Sequence, residues 1–195
     1  AIENFEKIAV FGDYDADGVT STALLYLYLS KQGADVQCYI PDRITEGYGM
    51  SKAAIQKLKD DGVKLIVTVD TGVAAVEETE FAKSLGMDIV ITDHHQPGET
   101  LPDAVAVVDP HRADCPSEFK EYAGVGVAFL LACALEGDFE SVLDEFSDLV
   151  ALGTLADVVS LTGENRTLVK AGVQRLNHNP RPGFAALKAA SGTQN

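Results

Sequence analysis

Short, almost wholly apolar runs alternate with longer amphipathic stretches over the first part of the chain. Lys7–Phe11, Val36–Ile40, Leu65–Val69, Asp88–Thr92 and Val105–Val108 have the length and β-branched content of strands. Between them, Val19–Gln32, Ser51–Asp61 and Ala74–Leu85 carry helical periodicity, with Gly33 placed to end the first and Ser51 to cap the second. The segment Pro41–Met50 reads as a loop. Strands this apolar, without polar alternation, belong to sheets covered on both faces. From Gly124 the strands stop: Gly124–Leu135, Phe139–Leu155 and Glu164–Leu176 read as consecutive helices. The breaker-rich stretch Asn177–Gly183 comes next, then a short helix over Phe184–Ala190, and Ser191–Asn195 shows neither a cap nor a core-forming pattern. The expected fold is α/β: a mainly parallel sheet of about five strands flanked by helices, followed by an all-helical C-terminal segment. The expected divisions are an α/β part over 1–122, a helical part over 123–176, and the start of a linker over 177–195.

The residues just after each apolar run carry more information than the run itself. The strand ends lead into Asp13-Tyr14-Asp15-Ala16-Asp17-Gly18, Pro41-Asp42-Arg43, Asp70-Thr71-Gly72, Asp93-His94-His95 and Asp109. In a parallel sheet the carboxyl ends of the strands share one edge, where ligands bind. Carboxylates and imidazoles far apart in sequence therefore converge, which points to a divalent-metal site and metal-assisted phosphoester chemistry. The first acidic run begins like a calcium loop, but that loop needs a Glu at its twelfth position and Leu24 stands there. Its bland reading is a set of turn and N-cap aspartates. For Asp70 the bland reading is an Asp-x-Gly turn, and for Asp93-His94-His95 an exposed polar loop. Adjacent histidines at a strand end can divide their tasks, one binding metal and the other meeting a phosphate oxygen, with Asp93 orienting a ring. Gly124 and Gly126 open a helix whose free N–H groups are candidates to hold an anion. Asp157 ends an apolar helix, where the helix dipole disfavours it unless a cation compensates.

Composition adds constraints. The net charge is −15, so nothing resembles the basic stripe of a stand-alone nucleic-acid binder, and two bound divalent cations would leave the surface acidic. Any grip on a polynucleotide then comes largely from residues outside this chain. Cys38, Cys115 and Cys133 lie far apart, as expected of reduced thiols in the cytoplasm. His111 and Cys115 have half-zinc-site spacing, but a second pair is missing. No apolar run approaches the roughly 20 residues that span a bilayer, and no membrane association is expected.

Taken together, the motifs resemble the DHH phosphoesterase superfamily, and within it the RecJ-type single-stranded-DNA exonucleases. Tyr14-Asp15-Ala16-Asp17-Gly18, Asp70-Thr71-Gly72, Asp93-His94-His95 and Gly153-Thr154-Leu155-Ala156-Asp157-Val158-Val159 match the four family motifs in order. Pro41-Asp42-Arg43 with Glu46-Gly47-Tyr48-Gly49, Ala123-Gly124-Val125-Gly126-Val127-Ala128 and Gly163-Glu164-Asn165-Arg166 are RecJ-like in particular. The resemblance implies that Asp15, Asp17, Asp70, His94 and Asp157 ligate two Mn²⁺ or Mg²⁺ ions, with Asp70 bridging. It implies that His95, oriented by Asp93, contacts the scissile phosphate, and that Arg43, Tyr48 and the Gly124 and Gly126 helix start hold substrate. Many DHH proteins place a histidine four residues before the first motif aspartate; here Phe11 stands there, which makes Asp13 a further candidate ligand. The implied activity is 5′-to-3′ hydrolysis of single-stranded DNA to 5′-mononucleotides, in DNA repair and recombination. The implied partners of the full-length protein are a single-strand-binding protein or a helicase, and the family carries a further DHH-associated domain. Two other readings stay open: a DHH phosphodiesterase for nano-RNA, cyclic dinucleotides or pyrophosphate, and a catalytically silent DHH interaction module.

Overall fold

The structure is a computed structural model in which residues 1–192 are described. Five parallel strands form one sheet: β1 Ile8–Phe11, β2 Val36–Tyr39, β3 Leu65–Thr68, β4 Asp88–Thr92 and β5 Ala106–Val108, in the order β2-β1-β3-β4-β5. Seven helices accompany them among the described residues: α1 Ala16–Lys31, α2 Lys52–Asp60, α3 Val76–Ser84, α4 Gly124–Glu136, α5 Phe139–Ala156, α6 Gly163–His178 and α7 Pro182–Ala190. Alternate residues of β1 serve opposite layers, as a pleated strand requires. Ile8 and Val10 join the core formed with Leu24, Leu25, Phe129, Phe146 and Val150 from α1, α4 and α5. Ala9 and Phe11 join the other core, with Ile55 and Leu58 of α2 and Ala82 of α3. All four β1 residues are buried, which explains the unbroken apolar run.

The strand order reverses at β1, with β2 on one side and β3 on the other. A crevice therefore opens beyond the carboxyl ends of β1 and β3, at the topological switch point. The helical segment packs on the α1 face of the sheet, where α4 and α5 both lie against α1.

Most boundaries shift by a residue or two from the sequence expectation, and two of the shifts have a clear cause. Helix α1 starts at Ala16 rather than Val19, because Asp15 caps it by accepting the Gly18 N–H at 2.8 Å. Asp17 consequently lies in the first helical turn. Helix α6 runs through Asn177 and His178 rather than stopping at Leu176, with the Asn179 N–H donating to Arg175 O at 2.8 Å. The segment expected as the start of a linker is tied to α5. Arg181 Nε lies 2.9 Å from a carboxylate oxygen of the fully buried Asp148 and its guanidinium covers the Phe146 ring at 5.4 Å. The expectation for Ser191–Asn195 lies in part outside the described residues, which end at Gly192.

Helices α5 and α6 approach closely because Gly172 has no side chain. A Cβ there would come within 2.0 Å of Ser147 O and 2.4 Å of the Ala151 methyl carbon. Gly172→Ala should destabilise the fold by about 1–3 kcal/mol through forced overpacking. A lowered midpoint in urea unfolding followed by circular dichroism would show it; an unchanged midpoint would mean that the helices separate freely.

Candidate metal centre

The Asp17 carboxylate organises the crevice. The Gly124 N–H donates to its Oδ2 at 2.6 Å and the Val125 N–H to its Oδ1 at 2.9 Å, so it occupies the start of α4 in place of an N-cap side chain. The next two N–H groups, of Gly126 and Val127, donate to Ala123 O. The sequence makes Gly124 and Gly126 candidates to hold a substrate anion; in the structure this helix start holds the protein's own Asp17 carboxylate. The glycines serve packing instead. A Cβ on Gly124 would lie 2.5 Å from the Asp70 Cβ and Oδ1, and one on Gly126 would lie 3.1 Å from the Tyr122 ring.

Asp70 follows β3 with φ at 59°, a left-handed conformation that Asp tolerates better than most residues. It is almost fully buried, and its Oδ1 lies 3.0 Å from His94 Nε2. Neither atom has a hydrogen-bond partner in acceptable geometry. Two buried donor atoms this close, aimed past one another, are arranged as ligands of a common cation rather than as a hydrogen-bonded pair. His94 Nε2 also lies 3.9 Å from Asp17 Oδ2 and 3.9 Å from Asp157 Oδ2.

Three sets of ligand atoms fall within 4.8 Å of one another: Asp17 with His94 and Asp157; Asp13 with Asp15 and Asp70; and Asp70 with His94 and His95. The crevice thus brings together Asp13, Asp15, Asp17, Asp70, His94, His95 and Asp157, from the ends of β1, β3, β4 and α5. This mixed carboxylate and imidazole set suits Mn²⁺ or Mg²⁺ rather than a softer ion. Phe11, where a further histidine was absent, stacks on Tyr39 at 5.2 Å and is fully buried. Asp13 stands near that end of the crevice.

The electrostatics show what the cluster lacks. Burial and the neighbouring Asp157 push Asp17 up to about 6 against the pull of the α4 N–H groups and His94. Burial raises Asp70 to about 7, with Asp17 and Asp15 adding to the effect. His94 is raised to about 9 despite its burial, because Asp70, Asp17 and Asp157 favour the imidazolium. The crevice holds protons where positive charge is wanted.

Asp93 has a different task. Its Oδ2 accepts the Val73 N–H at 2.9 Å, while Oδ1 accepts the His94 N–H at 2.8 Å and lies 2.7 Å from His95 Nδ1. Although burial acts to raise it, His95 and these N–H donors hold Asp93 below its ordinary value. Asp93 in turn raises His95 and fixes its ring so that Nε2 faces outward, 3.4 Å from the Tyr48 hydroxyl.

The loop after β2 completes this wall. Arg43 lies over the Tyr14 ring at 5.4 Å, and Tyr48 meets Tyr14 edge-on at 6.4 Å and His95 at 6.2 Å. Tyr14 was not singled out by sequence reasoning; the available signal was an aromatic residue between two candidate ligands. Beside His95 a cavity of about 360 Å³ is lined by Tyr48, Thr71, Glu78, Asp93 and Gln96 among others. Asp109 and His111 lie outside these sets, 3.7 Å apart beyond β5, so the zinc-like spacing of His111 and Cys115 gathers no further ligand among the described residues.

This chain belongs to the DHH family: the family's N-terminal domain matches residues 7–154. It is 52% identical over 192 residues to the single-stranded-DNA-specific exonuclease RecJ of Bacillus subtilis strain 168, covering 98% of this chain and 24% of that protein. Its fold matches a crystal structure of exonuclease RecJ bound to manganese with a TM-score of 0.87 and 39% identity, covering 100% of this chain and 50% of the other. A structure of RecJ in complex with Mn²⁺ from Thermus thermophilus matches with a TM-score of 0.81 and 37% identity, covering 98% of this chain and 28% of the other. The chain therefore spans about a quarter to a half of the proteins it matches.

Two outcomes follow from the charges. Asp70 and His94 both bind protons more tightly in the folded metal-free protein than in the unfolded chain. For Asp70 the associated stability is full below the ordinary carboxylate range and is lost as pH rises to about 7. For His94 it is full below about 6.5 and lost as pH rises through about 9. The metal-free melting temperature should therefore fall between pH 5 and pH 9, and Asp70→Asn should flatten that slope in calorimetry. An equally steep slope in the variant would contradict the assignment. Separately, Asp93→Asn should bring the His95 pKa down towards its ordinary value in an NMR titration, and an unmoved His95 would show that its orientation has another source.

Proposed function

We propose that this chain is the metal-bearing part of a single-stranded-DNA exonuclease that hydrolyses phosphodiester bonds from the 5′ end and releases 5′-mononucleotides. The observation that carries the reading is the buried, unbonded pair of Asp70 Oδ1 and His94 Nε2, set between two further carboxylate groups. Asp17, His94 and Asp157 would hold one Mn²⁺ or Mg²⁺ ion; Asp15 with Asp13 would hold the second, and Asp70 would serve both. When bound, such a pair of ions supplies an activated water and neutralises charge on the attacking and leaving oxygens. The relatives named for single-stranded DNA and the structures named for manganese support this assignment.

The remaining roles belong to the chain's own side chains. His95, whose imidazolium form Asp93 favours through Nδ1–H, would donate its Nε2–H to a non-bridging oxygen of the scissile phosphate. Arg43, resting on Tyr14, would pair with a backbone phosphate, and the exposed Tyr48 ring would pack on the nucleotide being removed. The cavity beside His95 has room for that nucleotide. The α/β part over 1–122 then supplies the strand-end ligands and the substrate wall, and the helical part over 123–176 supplies Asp157 and the support of Asp17. An exposed arginine and aromatic loop favours a strand over pyrophosphate as substrate.

The whole protein would act in DNA repair and recombination in the cytoplasm, with a single-strand-binding protein or a helicase as partner. Its free thiols accord with a reducing compartment. Among the described residues no helix is long and apolar enough to cross a membrane.

The test is a Mn²⁺-dependent digest of a 5′-labelled single strand beside its duplex. Release of labelled mononucleotide from the single strand is expected, with Asp70→Ala inactive yet folded. His95→Ala should lower kcat by about 10²–10³-fold while keeping Mn²⁺ binding, the loss typical of one oxyanion-stabilising group. Cleavage of a dinucleotide with no action on longer strands would overturn the strand-exonuclease reading.

A further inference from the structure

We infer that Asn165, at the start of α6, is a positioning residue that holds Asp157 and the α4 start in register, and so maintains the cation position formed by Asp17, His94 and Asp157. The inference rests on the metal reading proposed above and goes beyond it to a residue that touches none of the ligands.

Asp157 stands at the C-terminal end of α5, and the chain after it turns sharply. Val158 follows with φ at 64° and is 85% exposed. A β-branched residue in the left-handed region is strained, and such a conformation persists only where its surroundings impose it. Solvent cannot impose it, so the constraint comes from the flanking residues: Val159 packs against the core, and the segment is tied at both ends. Upstream, the Asp157 N–H donates to Gly153 O at 2.9 Å, within α5. Downstream, Ser160 O accepts the Asn165 side-chain amide at 3.0 Å.

The same amide reaches a second loop. Asn165 Nδ2 donates to Glu121 O at 2.5 Å, three residues before the glycine whose N–H holds Asp17. Both contacts are to carbonyl oxygens, which fixes the amide orientation, and Asn165 is fully buried. The neighbouring Glu164 adds a tie to the same loop by accepting the Tyr122 hydroxyl. Gly163 makes room for this turn, since a Cβ there would meet the Phe119 ring at 2.8 Å. One buried amide thus couples the loop after Asp157 to the loop before Gly124, and these two loops hold two of the three carboxylates around His94, Asp157 and Asp17.

The experiment is Mn²⁺ titration calorimetry on the folded chain, comparing wild type with Asn165→Ala, Tyr122→Phe and Gly172→Ala. Gly172→Ala serves as the control, because it disturbs the middle of the α5–α6 contact, at Ser147 and Ala151, without touching either loop. Wild type should bind two ions. Asn165→Ala should weaken one of them by about tenfold, the low end of the range for direct partners of metal ligands because Asn165 acts through two loops, and leave the second unchanged. Tyr122→Phe, which removes one hydroxyl and is the gentler variant should Asn165→Ala fail to fold, should weaken the same ion to a smaller extent. Gly172→Ala should lower the melting temperature and leave both affinities intact. Two ions bound with wild-type affinity by Asn165→Ala, or by Tyr122→Phe if that alone folds, would overturn the inference. An equal loss in Gly172→Ala would reduce Asn165 to general stability and overturn it as well. No Mn²⁺ bound by wild type would instead defeat the metal reading, and this inference with it.

Discussion

The Asp17 carboxylate, gripped by the first two N–H groups of α4, is the contact on which the rest of the molecule depends. It joins a turn at the end of β1 to a helix that begins 107 residues later, and so fastens the helical segment on the α1 face of the sheet. A charged acceptor at a helix N-terminus satisfies orphan N–H groups and interacts favourably with the dipole. The grip also fixes where Asp17 points, leaving it beside His94. Gly124 is required at that junction because the Asp70 side chain occupies the place its Cβ would take. One close approach therefore sets the relative positions of three motifs.

The crevice so formed is electrostatically incomplete as a purely protein structure. Burial alone would drive its carboxylates towards the neutral form, and the histidine is held as a cation by its acidic neighbours. A site designed only for stability would give Asp70 hydrogen-bond donors too, as the protein does for Asp93 with Val73, His94 and His95. The contrast is informative. Asp93 is saturated by donors and held below its ordinary value, while Asp70, on the adjacent strand, is left without a bonded partner at Oδ1. Positive charge from outside the chain would resolve this imbalance, and the ligand types present suit a divalent cation.

Much of this was legible in the chain. Unalternating apolar runs implied a parallel sheet covered on both faces, and β1, buried at every residue, has that environment. Acidic and histidine residues after successive strands implied convergence, since strand ends share an edge in a parallel sheet. The role of the Gly124 segment was not legible. A glycine-rich helix start looks the same whether it binds a substrate anion or the protein's own Asp17, and the choice depends on a residue distant in sequence. Tyr14 escaped for a similar reason, because its neighbours Arg43 and Tyr48 come from another loop.

The sequence by itself determined the fold class, the strand and helix order, and which residue types stand at the strand ends, because these depend on local periodicity and on the short reach of side chains from their own backbone. Tertiary structure decided which of those residues meet. Asp13, Asp15, Asp17, Asp70, His94, His95 and Asp157 were gathered into overlapping sets, Asp93 was assigned to hold His95, and Asp109 was left apart. That sorting rests on distances of a few ångströms across the sheet edge. They are set by strand order, by helix packing against α1 and by the absence of side chains at Gly124, Gly153 and Gly172, none of which local pattern encodes.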